Sequence, residues 1–226
     1  TYSGKVNVLQ GSDWGLTSTG SQFWLQDAFP TGGDEDYDNF GHSLATGDFN
    51  GDGYDDLAIG TPYEDIYGKT YSGKVNVLQG SDWGLTSTGS QLWQQDYLTG
   101  STNETSDRFG KVLAVGDFNN DGYDDLAIGT HSEGLGAIPY AGAVNVIYGS
   151  FSGLTTIGNQ FWTQDSFGVS DFAEEYDNFG GSLTVEDFNG DGYDDLAIGV
   201  FGEDIGSINS SGAVQLLYGS VNGLVV

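Results

Sequence analysis

The chain has 226 residues and a formal charge of −28, from 33 Asp and Glu against 5 Lys and Arg. A field of that sign excludes nucleic acid as an electrostatic partner and argues against an anionic membrane surface, and no apolar run approaches the roughly 20 residues that a membrane span needs. There is no Cys and no Met, not even at position 1, so the chain reads as a processed product or a fragment without a disulfide framework, and its 38 Gly point to many short strands and turns.

The first 22 residues, TYSGKVNVLQGSDWGLTSTGSQ, recur unchanged at 70–91. Segments 3–10 and 21–27 read as the last two strands of a unit, so 1–27 is a partial blade. A unit at 40–96 follows, then one at 109–165, then one at 179–226 that lacks its fourth strand. The middle unit shows the pattern best: FGKVLAVGDF (109–118), DLAIGT (125–130), GAVNVIYGS (142–150) and NQFWTQD (159–165). Short β-branched segments between Gly-rich turns are the mark of an antiparallel meander. Repetition at a period of 69 and then 70 residues means a solenoid, a propeller or an array, and four short strands per unit is the pattern of a propeller blade. The fold class expected is all-β: four-stranded antiparallel blades, about three and a half of them, open unless another chain completes them.

Each unit is built around one stretch: DFNGDGYDDLAIG at 48–60, DFNNDGYDDLAIG at 117–129 and DFNGDGYDDLAIG at 187–199. In the first, Asp48, Asn50, Asp52 and Asp56 stand at loop positions 1, 3, 5 and 9, with Gly53 at 6 and the carbonyl of Tyr54 at 7. The others place Asp117, Asn119, Asp121, Tyr123 and Asp125, then Asp187, Asn189, Asp191, Tyr193 and Asp195, in the same roles. Oxygen donors at alternate positions of a tight loop are what a hard cation of six to eight ligands requires, and Ca²⁺ suits so large and flexible a set better than Mg²⁺. Asn-Gly and Asp-Gly are also ordinary turn formers, but a turn needs one or two such residues, and three converging carboxylates repel one another without a cation. An EF-hand would place Glu at position 12; here that position is Ile59, inside a short apolar run that reads as a strand. The loop is therefore expected to be the turn of a β-hairpin, with three Ca²⁺ sites in all.

Phe40-Gly41, Phe109-Gly110 and Phe179-Gly180 precede the three loops, and Gly60-Thr61-Pro62 closes the first strand after the loop. With the GxVxVxxG segments, this combination resembles the FG-GAP repeat of integrin α-subunit propellers over nearly the whole chain. The resemblance implies Ca²⁺ in the loop between the first and second strands, on the lower face, with ligands on the upper face. Closure is where the pattern departs, since such propellers usually have seven blades. Either strand 21–27 of one chain completes the blade at 180–219 of the next, giving a ring or a filament, or the chain is a piece of a longer one.

Acidic clusters lie in the remaining loops: Asp34, Glu35, Asp36 and Asp38; Glu174, Glu175 and Asp177; Glu64-Asp65, Glu133 and Glu203-Asp204. A second cation site or a protein or glycan docking face competes with a solvated rim, and the rim is favoured. Trp24, Trp93 and Trp162 recur at one repeat position and are expected in blade-to-blade packing, whereas Trp14 and Trp83 are candidates for exposed contact. His42 and His131 occupy non-equivalent repeat positions, and no Ser/His/Asp arrangement is visible. Asn103 and Asn209 open sequons in loops. The reading is an extracellular or cell-surface, calcium-binding propeller acting in adhesion or self-assembly, without catalysis. A lectin is the alternative, and a polysaccharide-active enzyme a more remote one.

Overall fold

The computed structural model describes residues 3–29, 33 and 35–226. The Asp34 end of the first acidic cluster and the first two residues of the repeated 22-mer lie outside the described residues. Among the described residues, thirteen strands and two 3-10 turns make up the regular structure. β1 (Val6–Ser12) and β2 (Gly15–Trp24) form a hairpin. β3 (Ser43–Gly47), β4 (Asp56–Thr61), β5 (Lys74–Gln79) and β6 (Thr86–Trp93) make one four-stranded sheet. β7 (Val112–Gly116), β8 (Asp125–Thr130), β9 (Ala143–Tyr148) and β10 (Thr155–Trp162) make a second. β11 (Phe179–Glu186), β12 (Asp195–Val200) and β13 (Ala213–Leu217) make a three-stranded third. All pairing within the sheets is antiparallel and sequential. The first strands lie side by side, β3 against β7 and β7 against β11, so the sheets fan out from a common axis as propeller blades do.

The DLAIG strands show why the sheets stack. Successive side chains of a strand point to opposite faces. Leu57 and Ile59 face the hairpin, packing with Val6, Phe29 and Phe40, while Ala58 faces the other way into a core with Leu126 and Ile128. Leu126 and Ile128 in turn face back toward the first complete blade, and Ala127 faces forward to Leu196 and Ile198. Large residues look backward and the small one forward, so each blade buries both faces against its neighbours. Trp93 is buried in one of these inter-blade cores, and Trp24 and Trp162 pack against the others. Trp14 and Trp83 sit at hairpin turns and are 97% and 91% exposed.

The Phe-Gly pairs stitch blade to blade. Phe40, Phe109 and Phe179 donate their backbone N–H to the carbonyls of Ser3, Ser72 and Ala141 (2.8, 2.8 and 2.9 Å). Each closes a parallel bridge to Gly4, Gly73 or Gly142. A Cβ at any of these three glycines would overlap the Phe backbone. A second stitch comes from strand four: the amide of Gln91 donates to the Leu154 carbonyl (2.8 Å) and accepts from its N–H (3.0 Å). Gln22 does the same with Leu85, and Gln160 with Leu224.

Identical sequence does not give identical structure at 3–22 and 72–91. In the blade, pairing of β5 with β6 ends at Gln79↔Thr86, because the next N–H, of Gly80, donates to Asp56 (2.8 Å). Among the described residues the N-terminal copy has no such acceptor, and its ladder runs on through Gly11↔Leu16 to Ser12↔Gly15. The strands expected at 3–10 and 21–27 are therefore displaced to Val6–Ser12 and Gly15–Trp24.

The acidic loops are not merely a solvated rim. Glu64, Glu133 and Glu203 are buried, as are Asp38, Asp107 and Asp177. Each Glu accepts the side-chain N–H of a Gln from the preceding strand-four end: Gln26 to Glu64, Gln95 to Glu133, Gln164 to Glu203. Glu64 also meets Lys74 at 2.8 Å, the only ion pair among the described residues. A buried carboxylate is tolerated when it is hydrogen-bonded, and these three lock consecutive blades together.

Desolvation, and then the charge of Asp107, pushes Glu133 up to about 8 from an ordinary 4.5, against the opposing pull of the Gln95 hydrogen bond. Its folded form thus holds a proton more tightly than the unfolded chain does. The stability this contributes is complete below about pH 4.5 and is lost as pH rises through about 8. Glu133→Gln keeps an acceptor for Gln95 and removes the titration. The variant should gain about 1–3 kcal/mol over the parent between pH 4.5 and 8.5 in urea denaturation; a difference that stays flat across that range would refute the assignment.

Candidate metal centres

The three Asp-rich loops join β3 to β4, β7 to β8 and β11 to β12, and each leads into a strand. The closing pairs Gly47↔Asp56, Gly116↔Asp125 and Glu186↔Asp195 place position 9 of each loop at the first residue of the second strand. Position 4 is left-handed in every copy: Gly51 at φ 69°, Asn120 at 53° and Gly190 at 78°. Gly and Asn are the residues that take that conformation most readily, which accounts for the one substitution between the loops.

Each loop is wound around its own side-chain oxygens. In the first, the N–H groups of Asp52 and Gly53 donate to the Asp48 carboxylate (3.0 and 2.8 Å), Asp52 N–H also reaches Asn50 Oδ1 (2.8 Å), and Tyr54 N–H reaches Asp52 (3.0 Å). The second loop repeats this with Asp117, Asn119 and Asp121, and the third with Asp187, Asn189 and Asp191. A carboxylate oxygen has two lone pairs, so accepting one N–H leaves capacity for a cation. In the first loop Asp56 Oδ2 is buried without a hydrogen-bond partner. Burial raises Asp56 to about 6, and the charges of Asp52 and Asp48 add to the shift. Asp125 goes to about 8, with burial the leading cause and Asp117 and Asp121 contributing. Clustered oxygens that repel one another fit a divalent cation, although among the described residues no group of three or more His, Cys, Asp or Glu stands in metal-holding geometry.

The ninth-position Asp has a second task that the spacing did not reveal. Asp125 accepts N–H bonds from Phe118 and Gly149 (both 2.9 Å), and Asp195 from Phe188 (3.0 Å) and Gly219 (2.9 Å). It ties the loop to the third strand of its own sheet. The preceding Asp works between sheets: Asp124 accepts the N–H of Asp48 (2.8 Å) and Asp194 that of Asp117 (2.9 Å). The doubled Asp in every GYDD is the sequence signal for this chain of loops. Gly47 and Gly116 make room for it, since a Cβ there would meet Asp124 or Asp194 and a neighbouring Val. The third copy has Glu186 at that position, against which no further blade packs among the described residues.

The family described as the FG-GAP repeat matches residues 40–78, 109–147 and 179–217. The chain belongs to the FG-GAP repeat family. Among FG-GAP relatives, phosphatidylinositol-glycan-specific phospholipase D of Bos taurus is 36% identical over 163 residues, which is 72% of this chain and 19% of that protein. Integrin alpha-4 of Xenopus laevis is 34% identical over 175 residues (76% and 15%), and integrin alpha-5 of the same animal 31% over 207 residues (90% and 17%). The chain thus spans less than a fifth of the length of these relatives. Among the described residues no helix is long and apolar enough to cross a membrane.

Proposed function

We propose that this FG-GAP chain is an extracellular, calcium-stabilised propeller arc whose work is binding, in adhesion or in self-assembly, without catalysis of its own. Each loop holds one Ca²⁺ through the side chains at positions 1, 3, 5 and 9 and the carbonyl at 7: Asp48, Asn50, Asp52, Asp56 and Tyr54 in the first, and their counterparts in the others. The ion's contribution is positive charge at the bend between two strands; the chain's own residues supply the cage. What carries the reading is the threefold repetition of one loop lined by the side-chain oxygens of positions 1, 3 and 5. Calorimetric titration with Ca²⁺ should count three ions per chain and two for Asp121→Ala. Titration without saturable heat would sink the metal reading while leaving the fold intact.

Self-assembly has its own support. The outer edge of β13 is unpaired among the described residues, with Val214 70% exposed, and unpaired edges recruit strands. The N-terminal hairpin carries the strand-four sequence that such an edge receives elsewhere, so the segment 21–27 of a second copy is the candidate to complete the blade at 180–219. Glu186 opposes close stacking of a further blade, because its counterparts Gly47 and Gly116 have no space for a side chain. Glu186→Gly should therefore strengthen self-association about tenfold in sedimentation velocity, equivalent to ~1.4 kcal/mol. If parent and variant both stay monomeric at high concentration, the assembly reading falls.

A further inference from the structure

The chain's few Lys, Arg and His side chains are not spread evenly. Arg108 and Lys111 converge on the ring of Tyr63, at 5.6 and 5.2 Å from its centroid, and Lys111 also donates to the Tyr63 hydroxyl at 3.1 Å. His42 meets the same ring edge-on at 6.2 Å, and Tyr71 does so at 5.6 Å. His131 belongs to the same group: Lys111, Arg108 and His42 all act electrostatically on it. Four of the seven Lys, Arg and His side chains thus gather at one place in a molecule of charge −28. They are drawn from two neighbouring repeats, His42 and Tyr63 from one, Arg108, Lys111 and His131 from the next.

What is missing around them is informative. The chain has 33 carboxylates, yet among the described residues neither Arg108 nor Lys111 forms an ion pair. Arg108 reaches only Ser132 Oγ, at a long 3.5 Å. Its Nε–H is buried with no hydrogen-bond partner, and so is Nδ1 of His131. A buried donor such as the Arg108 Nε–H is costly without an acceptor, and Arg108 and Lys111 held together repel; burial, and then the charges of Lys111 and Arg108, hold His131 down at about 4, so that its imidazole is neutral near pH 7. An acceptor bearing negative charge would relieve both. Guanidinium and ammonium groups beside one another suit a planar carboxylate, while the protein's overall negative field disfavours a polyanion.

We propose that His42, Tyr63, Tyr71, Arg108, Lys111 and His131 form a binding site for the carboxylate of a small ligand. Arg108 and Lys111 supply the charge. Tyr71 and His42, both exposed, offer ring surface to the body of the ligand.

The test is a calorimetric titration of the calcium-loaded chain with sodium glucuronate, sodium acetate and neutral methyl glucoside, at constant ionic strength and pH 7. Both carboxylates should bind saturably and the neutral sugar should not. Acetate matching glucuronate identifies a free carboxylate site, and tighter glucuronate binding adds the tyrosine faces; either outcome supports the assignment. Arg108→Met and Lys111→Met should each weaken binding at least tenfold, and Lys5→Met, which removes the same charge from a side chain outside the group on the Tyr63 ring, should change it less than twofold. The ring-proton resonances of His42 and His131 should move on titration, a readout available even if one variant is poorly folded. Equal binding of the neutral sugar, equal loss in Lys5→Met, or no saturable binding would overturn the proposal.

Discussion

Gly142→Val should unfold the interface between the second and third sheets at a cost of about 4 kcal/mol or more. Gly142 sits at φ 86°, a region closed to β-branched residues. Its N–H donates to the Glu133 carbonyl at 3.0 Å, so the backbone is held and cannot rotate to a relaxed angle without losing that bond. A Cβ at this point overlaps both backbone N and O of Phe179, atoms that cannot move without pulling β11 away from β9. Gly158→Val is the control. It has φ 76°, but its Cβ would meet only Tyr148 Cδ2 at 3.9 Å, so it suffers backbone strain alone, roughly 1–3 kcal/mol. Urea denaturation of the two variants separates the causes. Equal losses would mean that conformational strain explains both and that the Gly–Phe bridge does not hold the blades. A loss of that size matters because the margin of a folded domain is only about 5–15 kcal/mol.

Much of this was legible in the chain itself. The DLAIG strands announce themselves by their apolar run and by the turn residues before them, and the loop positions by the alternate oxygens, because both patterns are local. The clamps are not local, and that is why they were not visible. Glu133 looks like a surface acid until its partner Gln95 is brought 38 residues across a blade boundary. His42 and His131 seemed unrelated because they occupy different repeat positions, yet the first strands β3 and β7 lie side by side, which brings the start of β3 within electrostatic reach of the end of β8. The identical 22-residue copies make the same point from the other side: whether Gly80 ends a ladder, or its twin Gly11 continues one, depends on whether Asp56 stands opposite. Sequence specifies the strand; the neighbouring sheet decides its length.

Removing calcium should lower the melting temperature by about 10 °C. With a dissociation constant near 0.1 mM, the tight end of extracellular modules, ~1 mM Ca²⁺ stabilises each site by about 1.4 kcal/mol, or roughly 4 kcal/mol for three. For a chain of this size one kcal/mol corresponds to about 2–4 °C. The linked loops make the effect cooperative. Asp124 accepts from Asp48 and Asp194 from Asp117, so an ion in the second or third loop fixes the start of β8 or β12 and, through the doubled Asp, the loop of the preceding blade. Asp124→Ala should therefore weaken Ca²⁺ at the first loop, to which it is not a ligand, by several-fold while leaving the third unchanged. Differential scanning calorimetry with and without EDTA measures the first effect, and site-resolved titration the second. An unchanged melt in EDTA would remove calcium from the account of stability. Unaltered affinity at the first loop in Asp124→Ala would show that the loops act independently, each an isolated hairpin turn.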